Sequence, residues 1–177
     1  MTPLILPFEE QFPRIAESAF IAPGASVIGD VEIGADASVW YGVTVRGDVN
    51  WIRIGARTNI QDNSMVHVTT AKWPTTIGDD VLVGHMAMIH GATLENECFV
   101  GMKACVMDGA VIESRAMLAA GALLGPGKRI PSGELWAGVP AKKIRDLTEA
   151  EMNDFQRGIN HYVNLSRRHV ATLSGLG

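Results

Sequence analysis

Positive charge is scarce in this chain. Its 15 lysines and arginines are outnumbered by 19 aspartates and glutamates, for a formal net charge of −4 and a pI near 5.7. That balance argues against a nucleic-acid surface, for which a basic face is expected. Long apolar runs are missing too. The longest weakly polar stretch, residues 116–126, falls well short of the ~20 residues a helix needs to cross a bilayer. Cysteine is down to Cys98 and Cys105, which form no CxxC or finger spacing, and a reducing compartment would leave both as thiols. The opening Met1-Thr-Pro-Leu-Ile-Leu-Pro lacks the positive start of a secretory signal. The expectation is a cytoplasmic protein with neither nucleic acid nor membrane as partner.

What is present is enough for one domain: 177 residues, 47% hydrophobic and 19% charged, can bury a sizeable core. The dominant pattern is a period of six. Counted from Ile15, the apolar position recurs at Ile21, Val27, Ile33, Val39 and Val45, and resumes after an insertion at residues 50–53 with Ile54, Ile60 and Val66. It breaks over residues 71–76 and restarts at Ile77, Val83 and Ile89. One residue is then dropped, and the series continues through Leu94, Val100, Val106, Ile112, Leu118, Leu124, Ile130 and Trp136. Four residues after each apolar position a small one is expected to point inward, as at Ala25, Ala37, Ser64, Ala87, Cys98 and Ala104. Val49, Thr70 and Thr93 fill that slot in the irregular hexads.

Six is neither a helical nor a plain strand period. It predicts an all-β solenoid, a parallel β-helix of hexapeptide repeats in which three hexads close one triangular coil. A β-sandwich gives no reason to hold a six-residue phase for so long. The division expected is an N-terminal arm over 1–14, the β-helix over 15–141, and a C-terminal helix and tail over 142–177. Thr148-x-x-Glu151 has the form of a capping box, and Met152, Phe155, Ile159, Tyr162, Val163 and Leu165 recur at helical spacing behind it. His161 and His169 fall on that helix and are expected to be solvated. Met86, Met88, Met102 and Met107 read as packing residues whose adaptable side chains would suit the walls of an interface site.

Three of the five histidines, His67, His85 and His90, lie within 24 residues. Three imidazoles with a free fourth position suit a catalytic zinc. On the prism, His67 directly follows Val66 and His90 directly follows Ile89, which puts both on the third face, stacked one coil apart. His85 comes two places after Val83 on the second face, so one chain does not bring all three to one ion. Side-by-side packing of three prisms sets the third face of one against the second face of its neighbour, through the heterologous contacts that close a cyclic trimer. The same arithmetic sets Arg46 of the third face opposite Asp62 of the second.

With Arg46-Gly-Asp48, Gln61-Asp62, His67 and His85-x-x-x-x-His90 set in this repeat, the sequence resembles the gamma class of carbonic anhydrases and their close relatives. The resemblance implies a left-handed β-helix, a homotrimer, and zinc, or iron(II) or cobalt(II), at subunit interfaces, where a metal-bound hydroxide converts carbon dioxide reversibly to bicarbonate. It also implies that Arg46, Asp48 and Asp62 tie subunits together, that Gln61 orients the metal-bound water, and that Tyr162-Val-Asn164 supplies a catalytic Tyr-x-Asn pair. The sequence departs from the prototype at Val49 and in residues 68–76, where loop glutamates linked to proton transfer are absent, so turnover is expected to be slow. Two further readings stay open. One is acyl chemistry, as a metal-dependent acyl-CoA thioesterase or a hexapeptide acyltransferase; the other is a non-catalytic, metal-stapled trimeric scaffold.

Overall fold

The structure is a computed structural model that describes residues 2–175. The chain winds into a left-handed parallel β-solenoid of about seven turns, followed by a single C-terminal helix. On the first face Ile15, Ile33, Ile54, Ile77, Leu94, Ile112 and Ile130 stack in parallel register. Ile21, Val39, Ile60, Val83, Val100, Leu118 and Trp136 stack on the second. Val27, Val45, Val66, Ile89, Val106 and Leu124 stack on the third, so the six-residue count translates directly into three columns. The faces form two sheets because strands Ser26–Ile33 and Thr44–Ile54 run straight through a corner and join the first face to the third.

Each coil turns a corner three residues after its inward apolar position. There the backbone takes positive φ at non-glycine residues such as Asp36, Asn63, Asp80, Glu97 and Arg115, a conformation that costs an L-residue roughly 1–2 kcal/mol. The repeated ladder and the packed interior offset that cost. One place after the apolar position, adjacent coils approach so closely that a Cβ on Gly55 would lie 2.5 Å from the carbonyl carbon of Gly78. Only glycine fits there.

The inward small position departs from the simple count where the chain has insertions. Val49 and Thr70 are exposed and Thr93 is half-buried, while Ile52, Thr75 and Ala92 occupy the interior in their place. Ile52 pairs with Val31 and Thr75 pairs with Ile52. The slot is set by the strand that follows, two residues ahead of its apolar anchor, so extra residues upstream bulge outward without entering the core.

The two ends also differ in detail from the expected division. Within the arm, Leu4–Leu6 pairs in parallel with Ser26–Ile28 and starts the third face early. Residues 142–146 form a strand, Lys142–Asp146, that doubles back antiparallel on Glu134–Ala137 after a cis Val139-Pro140 bond. The helix proper is Glu149–Ser174, and its capping box forms as the sequence predicts, with Thr148 and Glu151 each satisfying the other's backbone amide. Phe155, Ile159 and Val163 bury one helical stripe against the second face, where Phe155 meets Phe99 edge-on at 5.4 Å. Burying side chains of this size is worth about 1.5–3 kcal/mol each. Arg57–Asn160 and Gln156–Glu97 hydrogen bonds pin the helix at the rims. Among the described residues no helix is long and apolar enough to cross a membrane.

Candidate metal centre

His67 and His90 are register partners on adjacent strands of the third face. Their rings tilt together, with His67 Nδ1 3.1 Å from His90 Nε2. Each outer nitrogen meets a carboxylate: His67 Nε2 lies 3.1 Å from Asp48 Oδ1, and His90 Nδ1 lies 2.6 Å from Asp108 Oδ1. The result is a row of four side chains along the solenoid axis, Asp48, His67, His90, Asp108.

The row is a test of metal fit. A carboxylate only accepts, so the two outer nitrogens carry the hydrogens. In neutral rings the two inner nitrogens are then both bare acceptors, facing each other at 3.1 Å. That pairing is repulsive without a cation between them, and the spacing is close to the ~3.3 Å that separates two imidazole nitrogens on one tetrahedral ion with bonds of about 2.0–2.1 Å. His67 and His90 fit two of a zinc site's ligands.

Electrostatics favours the same states. Burial lowers the pKa of His67, and the Arg46 charge adds to that against the pull of Asp48, so the neutral ring is favoured. Burial opposes ionisation of Asp48, but hydrogen bonds from His67 and Arg46 outweigh it and hold the carboxyl below its usual range. Asp108 behaves alike: burial is outweighed by the bonds from His90 and from Thr69, whose hydroxyl donates to Asp108 Oδ2 at 2.9 Å.

His85 stands on the second face, with Nδ1 2.9 Å from Asp62 Oδ2. Among the described residues no three His, Cys, Asp or Glu side chains gather where they could hold an ion. One chain brings together His67 and His90 and leaves His85 apart, as the face count expects. Arg46 pairs with Asp48 and Asp62 with His85, so within one chain the three charged residues expected at the interface all engage this machinery.

Beside His85 a cavity of about 530 Å³ opens between the helix and the second face, lined by Gln61, Leu82, Phe99, Met102, Phe155 and Tyr162. Gln61 Nε2 donates to Asn59 Oδ1 at 2.9 Å, so this buried asparagine sets the amide's orientation. Burial pushes the Tyr162 hydroxyl pKa up, and Asp62 adds to it. Of the helical pair, Tyr162 joins this cavity while Asn164 is exposed and does not line it. Met102 is a wall of the cavity; Met86 and Met88 are exposed on the outer faces.

His169 is half-buried and only partly solvated. Its Nδ1 is 2.8 Å from the Tyr41 hydroxyl and its ring packs on Trp40 and Phe20, because the helix continues far enough to lay its last turns over the aromatic residues of the early coils. Two site residues escaped the sequence reading. Asn59 reads as a strand residue beside the core, and Asp108 lies 18 residues after His90, one coil on, which is the only trace it leaves in the sequence.

The class follows from fold and repeats. Residues 12–47 match the bacterial transferase hexapeptide model of six repeats, and residues 74–102 and 91–126 match the hexapeptide repeat of succinyl-transferase. Gamma carbonic anhydrase 1, mitochondrial, of Arabidopsis thaliana is 48% identical over 92% of this chain and 61% of its own length. The probable carbonic anhydrase of Methanocaldococcus jannaschii is 43% identical over 86% of this chain and 95% of its own. A solved structure from Bacillus cereus, described as a putative acetyltransferase, has a TM-score of 0.95 at 37% identity, covering 97% of this chain and 99% of that one. This chain belongs to the gamma carbonic anhydrase family. It spans about three fifths of the length of the plant relatives it matches.

Proposed function

We propose that the protein hydrates carbon dioxide reversibly to bicarbonate at metal sites shared between the subunits of a homotrimer. The observation that carries this reading is that each of His67, His85 and His90 gives one ring nitrogen to an aspartate, which leaves the other as the bare nitrogen a metal ligand needs. His67 and His90 of one copy supply two ligands and His85 of a neighbouring copy the third. Arg46 and Asp62 meet across the same interface. Imidazole ligands suit zinc, iron(II) and cobalt(II) alike. Thiols without a disulfide partner at Cys98 and Cys105 fit a reducing compartment such as the cytoplasm.

When bound, the ion supplies the acidity that makes a hydroxide nucleophile available near neutral pH. Asp48, Asp62 and Asp108 keep the three rings oriented. Gln61, with its amide nitrogen held by Asn59, keeps its carbonyl oxygen available as an acceptor for the nucleophile's proton. Tyr162 stays protonated and offers a donor to a substrate oxygen. Leu82, Phe99 and Met102 form an apolar wall that suits a nonpolar gas.

One observation favours a second reading. The cavity beside His85 is far larger than a three-atom gas requires, and the neighbour from Bacillus cereus carries an acetyltransferase description. An acyl substrate, hydrolysed as a thioester by the same nucleophile, fits that volume.

Stopped-flow hydration of carbon dioxide tests the first reading on protein purified without oxygen and reloaded with zinc, cobalt or iron(II). Activity in proportion to bound metal is expected. Bound metal with no hydration overturns the reaction and sends acyl-CoA hydrolysis to trial. The shared site is tested by mixing His85→Ala subunits with His67→Ala/His90→Ala subunits. Re-formed trimers regain metal at interfaces that combine the intact halves, and no regain refutes the ligand split.

A further inference from the structure

Asp108 does more than occupy the end of the axial row. Its two oxygens serve different elements: Oδ1 accepts from His90 Nδ1 at 2.6 Å and Oδ2 accepts from Thr69 Oγ1 at 2.9 Å. Thr69 opens the corner insertion, a tight loop closed by reciprocal backbone bonds between Thr69 and Trp73. That loop is anchored on two further sides. Asn50 Nδ2 donates to the Thr69 carbonyl at 3.1 Å, and the Trp73 ring lies flush on Gly109, where a Cβ would meet ring atoms at 3.0–3.2 Å. Gly109 has φ +66, so both backbone and space call for glycine next to Asp108.

From this geometry we infer that Asp108 is a positioning residue for His90, locked in place by the Thr69–Trp73 loop acting as a strap. The inference rests on the metal reading above. Asp108 places the His90 hydrogen on Nδ1 and frees Nε2 toward His67. The insertion thereby acquires a role that its lack of carboxylates hides: it carries no acid into the site, but it holds the acid that the next coil provides. Carboxylates behind metal-ligating imidazoles typically change metal affinity about 10- to 100-fold when removed.

The experiment compares full-length wild type with Asp108→Ala, Asp108→Asn and Thr69→Val. Two quantities are read: the zinc dissociation constant by chelator competition, and the His90 tautomer in metal-free, 15N-histidine-labelled protein by long-range proton–nitrogen correlation. In wild type the hydrogen sits on Nδ1. Asp108→Ala moves it toward Nε2 and weakens zinc about 10- to 100-fold, with a folded protein whose denaturation midpoint falls only modestly. Asp108→Asn keeps an acceptor and preserves the tautomer with a smaller loss, and Thr69→Val gives a smaller loss in the same direction. A tautomer and affinity in Asp108→Ala within twofold of wild type overturn the inference. If wild type binds no zinc the metal reading falls, and the tautomer still decides the role of Asp108. If zinc binds tightly but no carbon dioxide is hydrated, the reaction falls while the positioning role is judged as before.

Discussion

The third face has an inside and an outside built on one ladder, and the two are stabilised in different ways. Inward, Val27, Val45, Val66, Ile89, Val106 and Leu124 are fully buried and contribute through area and packing alone. Outward, one residue further along the same strands, stand Arg46, His67, His90 and Met107, half-buried and mostly polar; the two histidines are held by carboxylates from the coils before and after, and Arg46 by Asp48 on its own strand. Register is set from inside, so the outer column can be assigned to chemistry at little cost to the fold. The difference teaches that a solenoid separates structural and functional residues by a single position in the hexad.

The sharpest way to break that contrast is to cut one residue from each column on the same strand. Ile89→Ala is expected to cost about 2–5 kcal/mol through the lost burial and the cavity it leaves, read as a fall in the urea midpoint. His90→Ala, its immediate neighbour, removes a proposed metal ligand and its hydrogen bond to Asp108, and is expected to cost under about 1.5 kcal/mol while zinc per chain drops steeply. Equal losses of stability from the two would show that inside and outside are not separable.

His85→Ala extends the contrast to the second face. Metal content should fall while a folded trimer remains by sedimentation, and full metal retention would reject sharing between subunits. A smaller effect is expected at the far end of the helix. Tyr41→Phe removes the hydroxyl that meets His169 and should cost about 0.5–1.5 kcal/mol, seen as faster amide exchange confined to the last helical turns.

The smallest effect concerns acid. Hydrogen bonds from Arg145 and then from Thr148 lower Glu151 from its ordinary 4.5 to about 2. A lowered carboxylate contributes stability that is complete above its unfolded value and is lost as pH falls through the folded one. The helix start should therefore hold at pH 5 and fray between about pH 4.5 and 2, and Glu151→Gln should flatten that dependence in circular dichroism.

Much of this was legible in the sequence because a narrow prism admits one large residue per strand and repeats it without mercy for exceptions. The columns, the stacking of His67 on His90, the separation of His85 and the capping box at Thr148 all follow from counting. Counting fails where residues are inserted, since the interior slot is measured from the next anchor, which is why Ile52 and Thr75 replace Val49 and Thr70. It fails again for residues whose partners come from another coil or another element. Asp108 and Asn59 carry no local signal, and His169 is half-covered by aromatic rings more than 120 positions away in the chain. The strand Lys142–Asp146 was hidden by its charge, which suits an exposed edge and reads as the start of a polar tail.

That last strand limits how the molecule can grow. A parallel solenoid ends in a row of unpaired amides and carbonyls able to template another copy. Here the terminal rung of the second face is followed by a strand of opposite direction that presents Lys142, Lys143 and Arg145 at the rim, and the turn between them takes up the end of the third face through Leu123. A second solenoid arriving head to tail along the second face meets a strand of the wrong polarity, which works against filament extension there.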